Sequence, residues 1–305
     1  MDRRSIRMEG QQQHMIARRM AGPVPRAPAL PSVTGRFRGA GGLSLFRQVW
    51  HPPGPPRAAL INLHGLGDHS GLYPTLVEYL TVRGIVVHAP DLRGNGRSPG
   101  QRGYVRRWED FREDLHAFVT LVRSDVGRLP LFLLGNSLGG LIVLDYALMY
   151  PEGLHGVIAA APPLGQLSVP APLLALGRVM SRVWPRFSVR TGMDLSGLAR
   201  DPAIRDSVLA DPLFHRRGTA RLSTEVVATI ERVQAAAPRF PVPLLILHGS
   251  ADRMVTPEGS RKLITRVGHP DRQLREYPEG YHALFADFDR ERVLNDLEQW
   301  IVSRL

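Results

Sequence analysis

The chain has 305 residues, is 43% apolar, contains no cysteine and carries a formal net charge of +11. That length buries a large core, as one domain or as one domain with an insertion, and the absence of cysteine excludes disulfides and thiolate metal sites. No apolar run approaches the roughly 20 residues of a membrane span, and the first thirty residues lack the apolar block of a signal peptide, so a cytoplasmic protein is expected.

The charge is unevenly placed. Arg3, Arg4, Arg7, Arg18, Arg19, Arg26, Arg36 and Arg38 face only Asp2 and Glu9, so the first forty residues hold six of the eleven net charges. Glutamine and proline crowd the same stretch without periodicity, and residues 1–33 read as a disordered basic tail. The lone lysine, Lys262, marks an arginine bias of the whole chain, so nucleic acid is not expected as a partner.

From Thr34 onward the pattern becomes regular. "GRFRGAGGLSLFRQVWHP" predicts two short strands about a glycine turn, and "AALINLHG" a buried strand ending in a glycine loop. "YPTLVEYLTVRG" has helical spacing that stops at Gly84. "IVVHAPD" is the next strand and "WEDFREDLHAFVTLVRSDV" the next helix, acidic early and basic late. The strand "PLFLLG", the helix "LGGLIVLDYALMY" and the strand "GVIAAAP" follow. "PLLILHG", "QLREYPEG" and the helix "RERVLNDLEQWIVSRL" close the chain.

Alternating strands and helices predict an α/β fold, a mostly parallel central sheet with helices on both faces. About eighty residues between "GVIAAAP" and "PLLILHG" break the alternation and are expected to form an inserted helical cap. The expected layout is core over 34–161, cap over 162–240 and core again over 241–305. "APLLALGRVMSRVW" places Leu173, Leu176, Met180 and Val183 on one helical face, widened by Val179 and Trp184. Such a face either packs on the core, or lines an acyl pocket and touches lipid surfaces peripherally. "LSTEVVATIERVQAAAPRF" reads as the helix that returns the chain to the sheet.

Ligands of parallel sheets bind beyond the carboxyl ends of the strands. There, Gly135-Asn136-Ser137-Leu138-Gly139 fits G-x-S-x-G between a strand and a helix, the setting of a nucleophile elbow. A serine hydroxyl needs a base, and the base an orienting acid. Taken singly, Asp252 reads equally as a turn residue and His282 as a loop histidine. Together, in the order Ser137, Asp252, His282 and on successive strand ends, they are expected as a triad. The backbone N–H groups of Leu66 and Leu138 are the expected oxyanion donors, because Gly65 and Gly67 let the first loop curl toward Ser137. His64 and His248 read as loop-shaping residues, as do Asp68 and His69, with pocket lining a second role for the latter pair. "DLRGNGRSPG" reads as a structural glycine loop. No metal site and no phosphate loop emerges, and no cofactor is expected.

"HGLGDHSGLY", "DLRGNGRS", "GNSLGG", "HGSADRMV" and "YPEGYHALF" together resemble the monoacylglycerol lipase and lysophospholipase branch of the α/β-hydrolases, from about Gly35 to the end of the chain. The resemblance implies Ser137 as nucleophile, Asp252 as acid, His282 as base, and hydrolysis of a small lipid ester; a broader short- or medium-chain carboxylesterase or acyltransferase, and a catalytically silent hydrolase-fold binding protein, are the alternatives. Three positions depart from the branch. Leu138 follows the serine where methionine is common, Asn95 stands where many members have histidine, and Leu72 replaces an arginine beside the headgroup pocket.

Overall fold

The computed structural model of the protein describes residues 31–165 and 171–305, with side chains throughout except at 171–174. The tail expected over 1–33 lies outside the described residues but for its last three, and β1 already begins at Val33.

Ten strands are present among the described residues: β1 (Val33–Arg38), β2 (Ser44–Trp50), β3 (Ala58–Leu63), β4 (Ile85–Pro90), β5 (Leu131–Asn136), β6 (Gly156–Ala160), β7 (Ser188–Arg190), β8 (Arg217–Thr219), β9 (Leu244–Gly249) and β10 (Arg272–Tyr277). Eight of them form one sheet in the order β1–β2–β4–β3–β5–β6–β9–β10. From β4 to β10 every pairing is parallel, and β2 is antiparallel to both its neighbours. Each residue of β3, β4, β5, β6 and β9 is buried, which is why these strands read as continuous apolar runs.

Eight helices accompany them among the described residues: α1 (Pro74–Thr81), α2 (Glu109–Val126), α3 (Leu138–Met149), α4 (Ala171–Val183), α5 (Pro202–Ala210), α6 (Ala220–Ala236), α7 (Glu258–Ile264) and α8 (Arg290–Val302). Gly84, at φ +79°, turns the chain after α1 and donates its N–H to the Thr81 carbonyl at 3.0 Å. Only glycine reaches that conformation without a Cβ penalty. On one face of the sheet Ile61 and Leu63 pack with Phe111 and Leu115 of α2 and with α3. On the other, Trp300 of α8 meets Phe132 at a ring separation of 6.0 Å. α3 is buried from Leu138 to Ala147, as befits a helix apolar all round.

The insertion contains α4, β7, α5, β8 and α6. Sequence periodicity indicates α4 and α6 but not α5, α7 or the short β7–β8 pair. A buried carboxylate helps bind α6 to the core: Asp145 on α3 accepts from Arg232 Nε at 2.9 Å and from Trp108 Nε1 at 2.8 Å. α4 sits differently from the core-packed reading. Its buried Ser181 bonds Thr224 of α6 at 2.8 Å. Leu176, Val179, Val183 and the adjoining Trp184 are 55%, 56%, 78% and 58% exposed, and Met180 is half-buried. The small residue faces the neighbouring helix and the apolar stripe faces out. The side chain of Leu173 lies outside the described residues.

Candidate active site

β5 ends at Asn136 and α3 starts at Leu138, so Ser137 alone turns the chain between them. Its φ of 53° and ψ of −119° lie where L-residues are rare, a cost of about 1–3 kcal/mol that the surroundings must offset. Ser137 N–H donates to the Ala160 carbonyl at 2.8 Å, and Ser137 C=O accepts from Leu141 N–H at 3.2 Å. The flanking glycines are a steric necessity. A Cβ on Gly135 would lie 2.2 Å from the Gly139 oxygen, and one on Gly139 would lie 2.4 Å from the Leu63 oxygen. Leu138 opens α3, so its N–H belongs to the first turn, whose donors have no partner within the helix.

Leu63 pairs with Gly135, so the loop after β3 leaves the sheet beside the elbow. Gly65 approaches so closely that an added Cβ would stand 3.2 Å from Ser137 Cβ. Buried His64 shapes this loop: Leu92 N–H donates to its Nε2 at 2.9 Å, which leaves the proton on Nδ1 to reach Gly65 C=O at 2.7 Å. Burial lowers its pKa and keeps it neutral. Tyr73 donates its hydroxyl to Asp68 at 3.2 Å, and burial together with the Asp68 charge pushes the phenol pKa well up. His69 accepts from Gly71 N–H at 3.1 Å and places Nε2 3.2 Å from the Asp211 carboxylate in the insertion. Asp68 and His69 thus hold the loop itself. Leu72 is half-buried and ends a single turn, Ser70–Leu72.

At the same edge of the sheet, Asp252 follows β9 and His282 follows β10. His282 Nδ1 lies 2.7 Å from Asp252 Oδ2, and both residues are buried. Asp252 Oδ1 accepts from Met254 N–H and Val255 N–H, each at 2.9 Å. Burial alone would raise this carboxyl, but the facing His248 and His282 rings and the Val255 amide hold it far below the usual carboxylate range. His248 is anchored on both sides, Nδ1 on Ser260 Oγ and Nε2 on the Val255 carbonyl, each at 2.9 Å, so it braces the Asp252 turn.

The insertion also grips the histidine loop. Leu198 C=O accepts from Ala283 N–H at 2.7 Å, and Arg200 binds Asp287 at 3.0 Å and Asp289 at 2.6 Å. These contacts, like the Tyr73–Asp68 bond, were not visible in the sequence. Arg200 and Asp287 are 87 positions apart, and no local spacing signals them.

The sheet order, with a strained serine at the strand-to-helix elbow, defines an α/β-hydrolase. The chain belongs to the family described as serine aminopeptidase, S33, which matches residues 54–289, and within it to the monoglyceride lipase branch, a group of carboxylic ester hydrolases. It is 32% identical over 271 residues to the monoacylglycerol lipase of Mycolicibacterium smegmatis, covering 88% of this chain and 96% of that protein. Monoglyceride lipase of Homo sapiens is 31% identical over 270 residues, covering 87% and 89%. The crystal structure of Paleococcus ferrophilus monoacylglycerol lipase superposes with a TM-score of 0.78 at 34% identity, covering 86% of this chain and 99% of that one.

Proposed function

We propose that the protein hydrolyses fatty acyl esters of small polar alcohols, of the monoacylglycerol or lysophospholipid kind, through an acyl-enzyme on Ser137. The observation that carries this reading is the buried Asp252–His282 pair at the carboxyl end of the sheet, the same end at which Ser137 is held between two glycines that nothing larger can replace. The names of the relatives supply the monoacylglycerol class.

Asp252 holds Nδ1 of His282, so Nε2 takes the proton from Ser137 Oγ as that oxygen attacks the ester carbonyl. The N–H groups of Leu66 and Leu138 receive the oxyanion. His282 passes its proton to the departing alkoxide, then draws one from water, which attacks the acyl carbonyl and releases the fatty acid and the serine. No cofactor takes part.

Residues 162–240 act as the cap over this site. The exposed stripe of Leu176, Val179, Val183 and Trp184, set among the exposed Arg178 and Arg182, rests on the lipid surface that supplies substrate.

Ser137→Ala is the test. Ester hydrolysis is expected to fall by on the order of 10⁴-fold or more, and fluorophosphonate labelling to vanish, with the fold intact. Label on another serine, or retained turnover, overturns the assignment. Aminoacyl amides assayed beside monoacylglycerols check the ester preference, and faster amide turnover would overturn it.

A further inference from the structure

Asn95 lies in the glycine loop after β4 and is buried. Both polar atoms of its side chain have partners. Oδ1 accepts from Gly67 N–H at 3.1 Å and stands 2.9 Å from His215 Nε2, while Nδ2 donates to the Arg93 carbonyl at 3.0 Å. His215 belongs to the insertion, 120 residues further along the chain.

Two backbone donors fix every proton in this cluster. Gly67 N–H can only donate, so the oxygen of the Asn95 amide faces it. Arg217 N–H donates to His215 Nδ1 at 3.2 Å, so the imidazole proton sits on Nε2 and points at Asn95 Oδ1. The backbones meet as well: His215 N–H donates to the Gly67 carbonyl at 3.1 Å. A Cβ on Gly67, at φ +82°, would fall 2.0 Å from the His215 oxygen. Both peptide groups of Gly67 are thereby held, and the residue before it is Leu66. Burial, reinforced by the neighbouring Arg102 charge, lowers His215 to about 4, so the ring stays neutral.

We infer that Asn95 and His215 are positioning residues for ester hydrolysis, with the cap, through His215, setting the oxyanion loop at Leu66. The inference rests on the reading of Leu66 as an oxyanion donor. Leu66 N–H serves catalysis only if aimed at the developing oxyanion, and a misplacement of about 1 Å costs up to about 100-fold in rate. The loop reaches that aim only when the core amide and the cap imidazole are both in place. The amide oxygen of Asn95 has two lone pairs and so serves both donors at once.

The test uses the full chain and a short soluble ester, so that lipid binding does not enter. Asn95→Ala and His215→Ala are each expected to lower kcat about 10- to 100-fold with KM changed less than about twofold. His215→Gln, which restores an N–H donor, is expected to recover kcat to within about fivefold of wild type. The double alanine variant is expected to be no slower than Asn95→Ala alone, because both changes remove one unit.

Unchanged kcat, a change confined to KM, no recovery by glutamine, or multiplicative losses in the double variant would each overturn the inference. If Asn95→Ala does not fold, His215→Ala and His215→Gln decide alone, read beside Tm. Wild-type enzyme that a fluorophosphonate does not label at Ser137 overturns both this inference and the reading beneath it. Labelled enzyme with unaffected variants overturns this inference only.

Discussion

Replacing Leu176, Val179 and Val183 together with serine separates the cap's outer face from the catalytic centre. In the structure these residues already expose 55%, 56% and 78% of their surface, so the change opens no cavity in the core and folding is expected to survive. What is lost is their transfer into a lipid interface. A fully transferred Val or Leu side chain is worth about 1.5–3 kcal/mol. Scaled by the exposed fractions, and allowing that an interfacial helix sinks only its lower side, the three residues contribute about 2–4 kcal/mol. That corresponds to a drop of about 30- to 1,000-fold in partition onto vesicles. Vesicle co-sedimentation reads the partition directly. kcat/KM on long-chain monoacylglycerol presented in vesicles should fall in parallel, while turnover of a water-soluble butyrate ester stays within about twofold. Equal loss on both substrates, with a lowered Tm, would mean that the stripe packs in the working enzyme, and the reasoning would be refuted. Unchanged partition would refute it from the other side.

Three further outcomes follow from the geometry. Asp252→Asn should reduce kcat by about 10⁴-fold, through the wrong tautomer of His282, at nearly native structure. The folded carboxyl is depressed, so its contribution to stability is complete above the unfolded value near 4 and is lost as pH falls toward the folded one. The stability gap between wild type and Asp252→Asn should therefore be flat above about pH 5 and shrink below about pH 4, and a gap growing on acidification would contradict this. Gly139→Ala forces a Cβ to 2.4 Å from the Leu63 oxygen, so a loss of about 2–4 kcal/mol or failure to fold is expected on denaturant titration. Removing Met1–Leu30 takes away six arginines and no motif, and kcat on a soluble ester should change less than about twofold.

What depends on short-range physics was legible along the chain. Continuous apolar strands, helices of 3.6-residue period and glycine stops set the order of elements. The elbow at Ser137 was legible because a strained serine tolerates only glycine two positions away, and that requirement is written locally. Asp252 and His282 were legible as a pair only through their places on successive strand ends, 30 residues apart. The tertiary structure decided what no window of sequence contains. Periodicity showed that α4 has an apolar stripe, but which side meets α6 depended on the partner, and Ser181 with Thr224 took the contact. His64, His69, His215, His248 and His282 are one residue type with five different neighbourhoods. Only the folded chain, bringing Asn95 to His215 and Asp252 to His282, distinguishes the imidazoles that hold a loop from the one bonded to Asp252 through Nδ1. Hydrogen bonds depend on distances of a few ångströms between groups that the chain separates by up to 120 residues, and local spacing carries no record of them.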